Sequence, residues 1–269
     1  MTPGPELEVV HGIVGDLEDP VGEGPLHQAT PTRALLDIPS IARARVEGGK
    51  RVVVQRAPGA SDEDLAWMLS GPVRQLGWLQ QGSMALRASG VAIGGRAVAI
   101  AGPASSGKSV VAAALARRGH AVLADAALPI DVEPPVTAHG VGGTVGLWPH
   151  AVELLGLDPA AGEIVRPALA KRAHRFQSAA SAPLAAVAIL DRNRHRREPA
   201  TERLRGTAAL GAVTAWTAMG PLVAPLGLTT AHFRWASGLV SQVPIVRIDL
   251  DRHRPDLPAV ADAVEALAS

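Results

Sequence analysis

"GRAVAIAGPASSGKSVVAAALARRGHAVLAD", residues 95–125, is the stretch of sequence that decides the fold. An apolar run typical of a buried strand leads into a glycine-rich segment, and an Ala- and Leu-rich run that predicts a helix follows. Gly119 predicts where this helix ends. The short run "AVLAD" (121–125) then predicts a second buried strand that ends in a carboxylate. This order of strand, loop, helix and strand is that of a nucleotide-binding βαβ unit.

The segment "GPASSGKS" (102–109) has the spacing of a phosphate-binding loop. Gly102 and Gly107 would let backbone N–H groups turn inward around a phosphate, and the helix dipole would add to the attraction. Lys108 would reach the β- and γ-phosphates, and the Ser109 hydroxyl would ligate Mg²⁺. The competing interpretation is a glycine-rich turn with a surface lysine, but one of only three lysines in the chain falls here. We therefore predict a site for ATP and Mg²⁺, whose nucleotide-binding residues are Gly102, Pro103, Ala104, Ser105, Ser106, Gly107, Lys108, Ser109 and Val110.

Composition limits what else the chain can be. The sequence has 269 residues, 47% of them hydrophobic, a net charge of +1 and no cysteine. Disulfides, thiolate metal sites and cysteine nucleophiles are thereby excluded. The near-neutral charge predicts neither nucleic acid nor a membrane surface as a partner. Since the first Lys or Arg is Arg33 and no apolar run reaches the length of a membrane span, we expect a cytoplasmic protein.

Three regions are expected along the chain. Residues 1–32 carry six acidic residues and no Lys or Arg; "ELEVVHGIV" (6–14) could form a strand, and the rest predicts a loose acidic arm. Residues 33–83 predict a small α+β lead-in, with two strands joined by the hairpin signal "EGGK" (47–50) and a helix from Ser61 that breaks at Gly71-Pro72. Residues 84–269 predict the α/β nucleotide-binding domain, which begins with a hairpin turning at Gly94-Gly95.

The long stretch quoted above, with "ALRASGVAIG" (85–94) before it, resembles the kinase domain of bacterial HPr kinase/phosphorylase. It is more similar still to the shorter HPr-kinase-like proteins found beside peptide-modifying genes, such as lasso-peptide clusters. The resemblance is sharp over residues 84–125 and continues through "LWPHAVELLGL" (147–157), "VRPALAKR" (165–172) and "VPIVRIDL" (243–250). It implies a P-loop fold related to phosphoenolpyruvate carboxykinase and ATP-dependent phosphorylation of a serine hydroxyl. A small protein or peptide is the implied substrate or partner, and a homo-oligomer stays open.

Two positions depart from the pattern of that family. Arg87 stands in "LRAS" (86–89) where members carry a His, and the "ADD" that ends their strand is "ADA" here, with Asp125 present and Ala126 in place of the second aspartate. That second aspartate is usually assigned as the base, and a positioned base contributes about 10²–10⁴-fold. The catalytic candidates are therefore Lys108, Asp125 and Arg87, and the metal candidates are Ser109 and Asp125.

These departures leave two functions open, a working peptide kinase and a pseudokinase that serves as a nucleotide-dependent binding partner. Asp125 would take over the base's work, hold Mg²⁺ through water, or be a solvated residue at a strand end. Arg87 would supply a fixed charge near the phosphates or only cap a surface strand.

Basic residues concentrate in the second half of the chain, with ten Lys or Arg against three acids over residues 166–205. The run "DRNRHRRE" (191–198) is typical of a solvated loop, with contact to phosphate or an acidic peptide as the alternative. Arg166, Lys171 and Arg172 lie in a segment shared with the family and are candidates for contact with substrate phosphate. Trp148 is predicted to be a core anchor rather than a platform for a base.

Overall fold

A computed structural model of the chain describes residues 7–193, 199–251 and 256–269. Within these ranges the protein is of the mixed α/β class and contains three β-sheets. The chain forms two compact units. Unit 1 comprises Met1–Met84, Ile164–Ala170 and Met219–Arg234, and unit 2 comprises Ala85–Glu163, Lys171–Ala218 and Trp235–Ser269. The segment that follows residue 84 is thus shared between the units, whereas the sequence led us to expect one domain there.

Unit 1 contains a six-stranded sheet formed by β1 (Glu8–His11), β2 (Gly22–Gly24), β3 (His27–Ala29), β4 (Arg33–Ile38), β5 (Ala42–Glu47) and β6 (Arg51–Arg56). Their order in the sheet is β1-β6-β5-β4-β3-β2. The segment expected to be a loose arm contributes three of these strands in its described part. β1 runs parallel to β6, with Val9 opposite Val52, so a distant strand satisfies its backbone groups.

The helix of unit 1 does not break at Gly71-Pro72, so that prediction was wrong. α1 (Asp62–Met68) continues through a π-helical turn (Leu69–Val73) into α2 (Arg74–Gln80), with Pro72 inside the wider turn. Proline removes a backbone donor and crowds the preceding turn of a helix. The wider π turn accommodates Pro72 by changing the backbone hydrogen-bond pattern, so that the Arg74 N–H donates to the Leu69 carbonyl. The start was predicted correctly, since the Ser61 side chain caps α1 by accepting from the Asp64 N–H.

The remaining elements follow β6 and α2 in chain order. They are β7 (Ala85–Leu86), β8 (Ala88–Ile93), β9 (Arg96–Ala101), α3 (Lys108–Arg117), β10 (Ala121–Ala124), β11 (Leu128–Asp131), β12 (Thr137–His139), β13 (Thr144–Leu147), α4 (Pro149–Leu154), β14 (Glu163–Arg166), β15 (Leu169–Arg175), β16 (Ser181–Asn193), β17 (Ala200–Leu204), α5 (Gly206–Ala215), α6 (Gly220–Val223), α7 (Thr229–Gln242), β18 (Ile245–Asp251) and α8 (Leu257–Glu265). Short 3₁₀ turns occupy Pro159–Ala161 and Ala266–Ala268.

The largest sheet has the order β10-β8-β9-β16-β12-β11-β7, with β18 beside β16 and β17 beside β18. β9 is parallel to β16 and antiparallel to β8, and β8 is antiparallel to β10. β9 and β10 therefore run in the same direction with β8 between them. As a result, the loop after β9 and the residue after β10 emerge at the same edge of the sheet.

Two hairpins predicted from glycine pairs are confirmed. Gly48 and Gly49, between β5 and β6, have φ values of 55° and 65°, and Gly94 and Gly95, between β8 and β9, have φ values of 57° and 82°. Both strand pairs are antiparallel with continuous register. Positive φ at both central residues gives a turn whose twist matches that of the strands, and glycine adopts it without steric cost.

The core of unit 2 holds β9 and α3 in place on either side of the glycine-rich loop. Apolar side chains of the sheet, α3 and α8 form one buried cluster, including Val98, Ile100, Val111, Leu115, Val260 and Val264. Full burial of a side chain such as Leu115 contributes about 1.5–3 kcal/mol. Trp148, expected to anchor the core, is instead 43% exposed just before α4, and the buried cluster around α4 is formed by aliphatic side chains such as Leu147, Val152 and Leu155.

Candidate functional site

The loop between β9 and α3 has a backbone that requires its glycines. Gly102 has φ 138°, and a Cβ there would lie 2.5 Å from the Leu190 carbonyl oxygen. Gly107, just before α3, has φ 102°, and Ser105 has φ 61°. Such values are costly for residues with a side chain, so the chain accepts strain to shape this turn. Ser106 is 2% exposed, and its Oγ has no hydrogen-bond partner among the described residues.

Lys108 is the first residue of α3, and its side chain folds back over the loop. Its Nζ donates hydrogen bonds to the carbonyl oxygens of Gly102 at 3.0 Å and Pro103 at 2.7 Å. Burial lowers the pKa of Lys108 below its ordinary value, and the positive charges of Arg87 and Lys171 lower it further, while Asp125 opposes them. The surroundings of Lys108 therefore disfavour its charged form.

Asp125 follows β10 and is held by three donors. The hydroxyls of Ser109 and Ser89 donate to its Oδ1 at 2.8 and 2.6 Å, and the Gly146 N–H donates to its Oδ2 at 3.0 Å. Ser109 lies in the first turn of α3, Ser89 is fully buried on β8, and Gly146 lies on β13. Asp125 is thus a positioned carboxylate beside the loop and not a solvated residue at a strand end.

Ala126 and Arg87, the two departures from the family pattern, are both exposed. Ala126 adopts φ 76°, in the left-handed region that Asn, Asp and Gly tolerate better than Ala. The Arg87 guanidinium lies 5.3 Å from the ring centre of Trp216, and the Arg87 N–H donates to the Trp216 carbonyl. Arg87 is therefore held by a cation–π contact, with its charge close enough to act on Lys108.

The other basic candidates are divided between the two units. Lys171 lies against Gly146, since a Cβ added there would be 3.0 Å from its Nζ. Arg172 donates to the Gly162 carbonyl at 2.8 Å instead. Arg166 belongs to unit 1, where it pairs with Asp64. The segment 194–198 of the basic run lies outside the described residues, so only its beginning can be placed.

Arg192, at the described beginning of that run, lies beside the loop. A Cβ added at Gly107 would be 3.9 Å from its Nη2. Sequence reasoning singled out this run but not the contact. It missed Ser89, Gly146 and Trp216, because their roles depend on the pairing of β8, the position of β13 and the course of the chain after α5. The serine in "LRAS" is Ser89, and its place in this segment was the one signal of these contacts that the sequence offered.

A metal at this site would depend on Ser109 and Asp125. Within the described ranges, no three His, Cys, Asp or Glu side chains come together as a metal cage. A hydroxyl and one carboxylate are nonetheless a fitting pair for Mg²⁺, which keeps several waters and takes its other ligands from substrate phosphates.

Several solved structures are similar to this chain, and one of them illustrates the likeness. The chain is similar to the HPr(Ser) kinase/phosphatase from Coxiella burnetii, at 13% identity and a TM-score of 0.36, over 68% of this chain and 92% of that one. No protein-family model and no curated protein sequence matches this chain. Since a likeness at this TM-score is distant, the function of this chain has to be argued from its own residues. Across the described ranges, none of the helices has the length and apolar character needed to span a membrane.

Proposed function

We propose that this protein binds ATP with Mg²⁺ at residues 102–110 and Asp125, and transfers the γ-phosphate to a serine hydroxyl of a small protein or peptide. The observation that carries the proposal is the 2.8 Å hydrogen bond between Ser109 and Asp125, directly beside the glycine-rich loop. A hydroxyl at the start of the helix and a carboxylate at the end of a neighbouring strand are the two protein ligands that a phosphate-bound Mg²⁺ requires.

The loop itself fits a phosphate. Donors without a partner are the expected lining of an anion site, and two kinds occur here. The Ser106 hydroxyl is buried without a partner among the described residues, and the first N–H groups of α3 have no acceptor within the helix. Gly102 keeps the backbone free of a side chain at its closest approach to Leu190.

Lys108 supports the same proposal through its charge. The site penalises its ammonium by burial and by the nearby Arg87 and Lys171. A polyphosphate would supply the missing negative charge, and Nζ could exchange its two carbonyl acceptors for charged phosphate oxygens, which are stronger partners. When bound, ATP would supply the phosphoryl group and Mg²⁺ would offset part of the negative charge of its phosphates. Lys108 and Arg87 would neutralise further phosphate charge. Asp125 would orient the metal or take the proton of the acceptor serine.

A second candidate function is nucleotide-dependent binding of a protein or peptide without turnover. The specific observation in its favour is that both oxygens of Asp125 already accept hydrogen bonds from Ser89, Ser109 and Gly146. A carboxylate engaged in this way is better suited to hold a metal than to accept a proton. The next residue is Ala126, which provides no base of its own.

Binding is tested by titration with a fluorescent ATP analogue in the presence of Mg²⁺. We expect Lys108→Ala to weaken binding by about 10-fold or more, the effect of losing a charge-assisted contact. Lys50→Ala, an exposed lysine in the β5–β6 hairpin, is the matched control and should bind as wild type does. Equal affinity of wild type and Lys108→Ala would overturn the proposal.

Turnover is tested separately with γ-labelled ATP and a candidate peptide encoded beside this gene. Label on a serine of the peptide, lost in Asp125→Asn, supports the kinase. ATP binding without transfer of label to the peptide and without release of labelled phosphate supports the second candidate instead.

A further inference from the structure

Unit 1 contains a cavity of about 320 Å³ that the proposed function does not use. It lies between β1, β6 and the π-helical turn with α2, and residues of unit 1 alone line it. Val52 and Val73 are fully buried in its walls, Trp78 is 5% exposed, and Val9 stands at its open side. A cavity of this size with mostly apolar walls is at the small end of the range for small-molecule sites.

Arg74 gives this cavity an unmatched positive charge. Its guanidinium lies 5.2 Å from the ring centre of Trp78. Within the described ranges of the chain, its side chain makes no ion pair, and its contact with Trp78 is the interaction that holds it. An exposed cation fixed over an aromatic ring at the mouth of an apolar cavity is a ready site for an anionic group.

Unit 1 contains a second arginine–tryptophan stack, and in this one the arginine has a carboxylate partner. Arg166 lies 4.8 Å from the ring centre of Trp67, and its Nε donates to Asp64 at 2.7 Å. That ion pair lowers the pKa of Asp64. Arg166 thus receives its carboxylate from the protein, whereas the described part of the protein gives none to Arg74. A ligand with an anionic group could give the Arg74 stack the partner that Asp64 gives to Arg166.

The π-helical turn supplies the shape. Leu69, Ser70 and Val73 all line the cavity and all belong to this turn, which holds one more residue per turn than an α-helix. Such turns are rare and occur frequently at functional sites.

We propose that this cavity binds a small apolar acid, with an aromatic or aliphatic body against Val52, Val73 and Trp78 and an anionic group on Arg74. The site is independent of the nucleotide loop.

The test uses the full chain and two probes that differ by one charge. Anilinonaphthalene sulfonate carries two aromatic groups, an N–H donor and a sulfonate, and N-phenylnaphthylamine is its uncharged analogue. We expect saturable one-to-one binding of the sulfonate, weakened about 10-fold or more in Arg74→Gln, with the uncharged probe little affected. Arg33→Gln, another exposed arginine of unit 1, is the matched control and should change neither probe.

Further variants locate the probe. Val9→Trp should fill the open side and weaken both probes, while Lys108→Ala should leave both unchanged; a cooperative thermal melt of each variant shows that it is folded. Sulfonate binding that Arg74→Gln leaves intact overturns the proposal, as does binding that Val9→Trp leaves intact. Loss of the signal in Lys108→Ala would place the probe at the nucleotide loop and would also overturn the cavity proposal. The proposal of ATP binding at the loop would be unaffected by that result.

Discussion

The buried hydroxyl of Ser89 donates a hydrogen bond of 2.6 Å to the carboxylate of Asp125. The two residues are on β8 and directly after β10, adjacent antiparallel strands. Because Ser89 is fully buried and donates directly to the Asp125 carboxylate, this contact fixes the orientation of the proposed metal ligand.

Removal of the Ser89 hydroxyl should cost both stability and metal-dependent binding. A hydrogen bond to a charged group contributes about 1.5–3 kcal/mol, so we expect Ser89→Ala to lower the free energy of unfolding by that amount in urea titrations. Ser109→Ala, which removes a half-buried donor to the same oxygen, should cost less stability but abolish the Mg²⁺ dependence of nucleotide binding. An unchanged unfolding midpoint in Ser89→Ala would show that the bond does not stabilise the fold.

The lowered pKa of Lys108 predicts a pH dependence of stability. Between its folded-state pKa and the ordinary value of 10.5, the unfolded chain binds more protons than the folded one. The free energy of unfolding should therefore increase as the pH rises through this window, up to 10.5. Lys108→Met should be more stable than wild type below the window, and the difference should shrink on raising the pH.

Urea midpoints measured in steps across that window check this expectation. The arginine of Lys108→Arg stays charged throughout, so the stability of this variant should decrease relative to wild type as the pH rises. A constant difference between Lys108→Met and wild type at every pH contradicts the prediction.

Gly102 and Gly119 separate the cost of a positive φ from the cost of a collision. Gly119 has φ 95° and open space where a Cβ would be, while a Cβ at Gly102 would lie 2.5 Å from the Leu190 carbonyl. Gly119→Ala should lose about 1–2 kcal/mol of stability and keep nucleotide binding. Gly102→Ala should lose at least about 1 kcal/mol more and fail to bind the fluorescent nucleotide, because a backbone oxygen cannot move away. Equal losses in the two variants would show that the loop tolerates a side chain.

Restoring a carboxylate at position 126 should restore chemistry. We expect Ala126→Asp, alone or with Arg87→His, to raise phosphoryl transfer or ATP hydrolysis by about 10-fold or more, the low end of what a positioned base contributes. The exposed, left-handed backbone at φ 76° accepts aspartate readily. Ala126→Asn gives the same backbone benefit without a base, so it separates stability from catalysis. If the aspartate and asparagine variants have equal rates, position 126 is not where a base would act.

The local part of the site could be predicted from sequence, and the long-range part could not. The paired glycines at 94–95 and 48–49, the loop before α3 and the carboxylate after β10 all have signals within a few residues, and the structure has these elements there. The run "ELEVVHGIV" (6–14) indicated a strand where β1 lies but not its parallel pairing with β6, and β2 and β3 gave no local signal. Likewise, nothing near Asp125 in the sequence indicates that Ser89 and Gly146 hold its two oxygens. A π turn around Pro72 was missed because proline more often ends a helix.

The left-handed backbone at Ala126 has a genetic consequence. A single nucleotide change converts an alanine codon into an aspartate or a glutamate codon, so one point mutation reaches a carboxylate, and the left-handed backbone there suits aspartate. The chain is therefore one substitution away from the two-aspartate arrangement, and a laboratory selection for phosphoryl transfer should recover this change before any that requires the turn to be rebuilt.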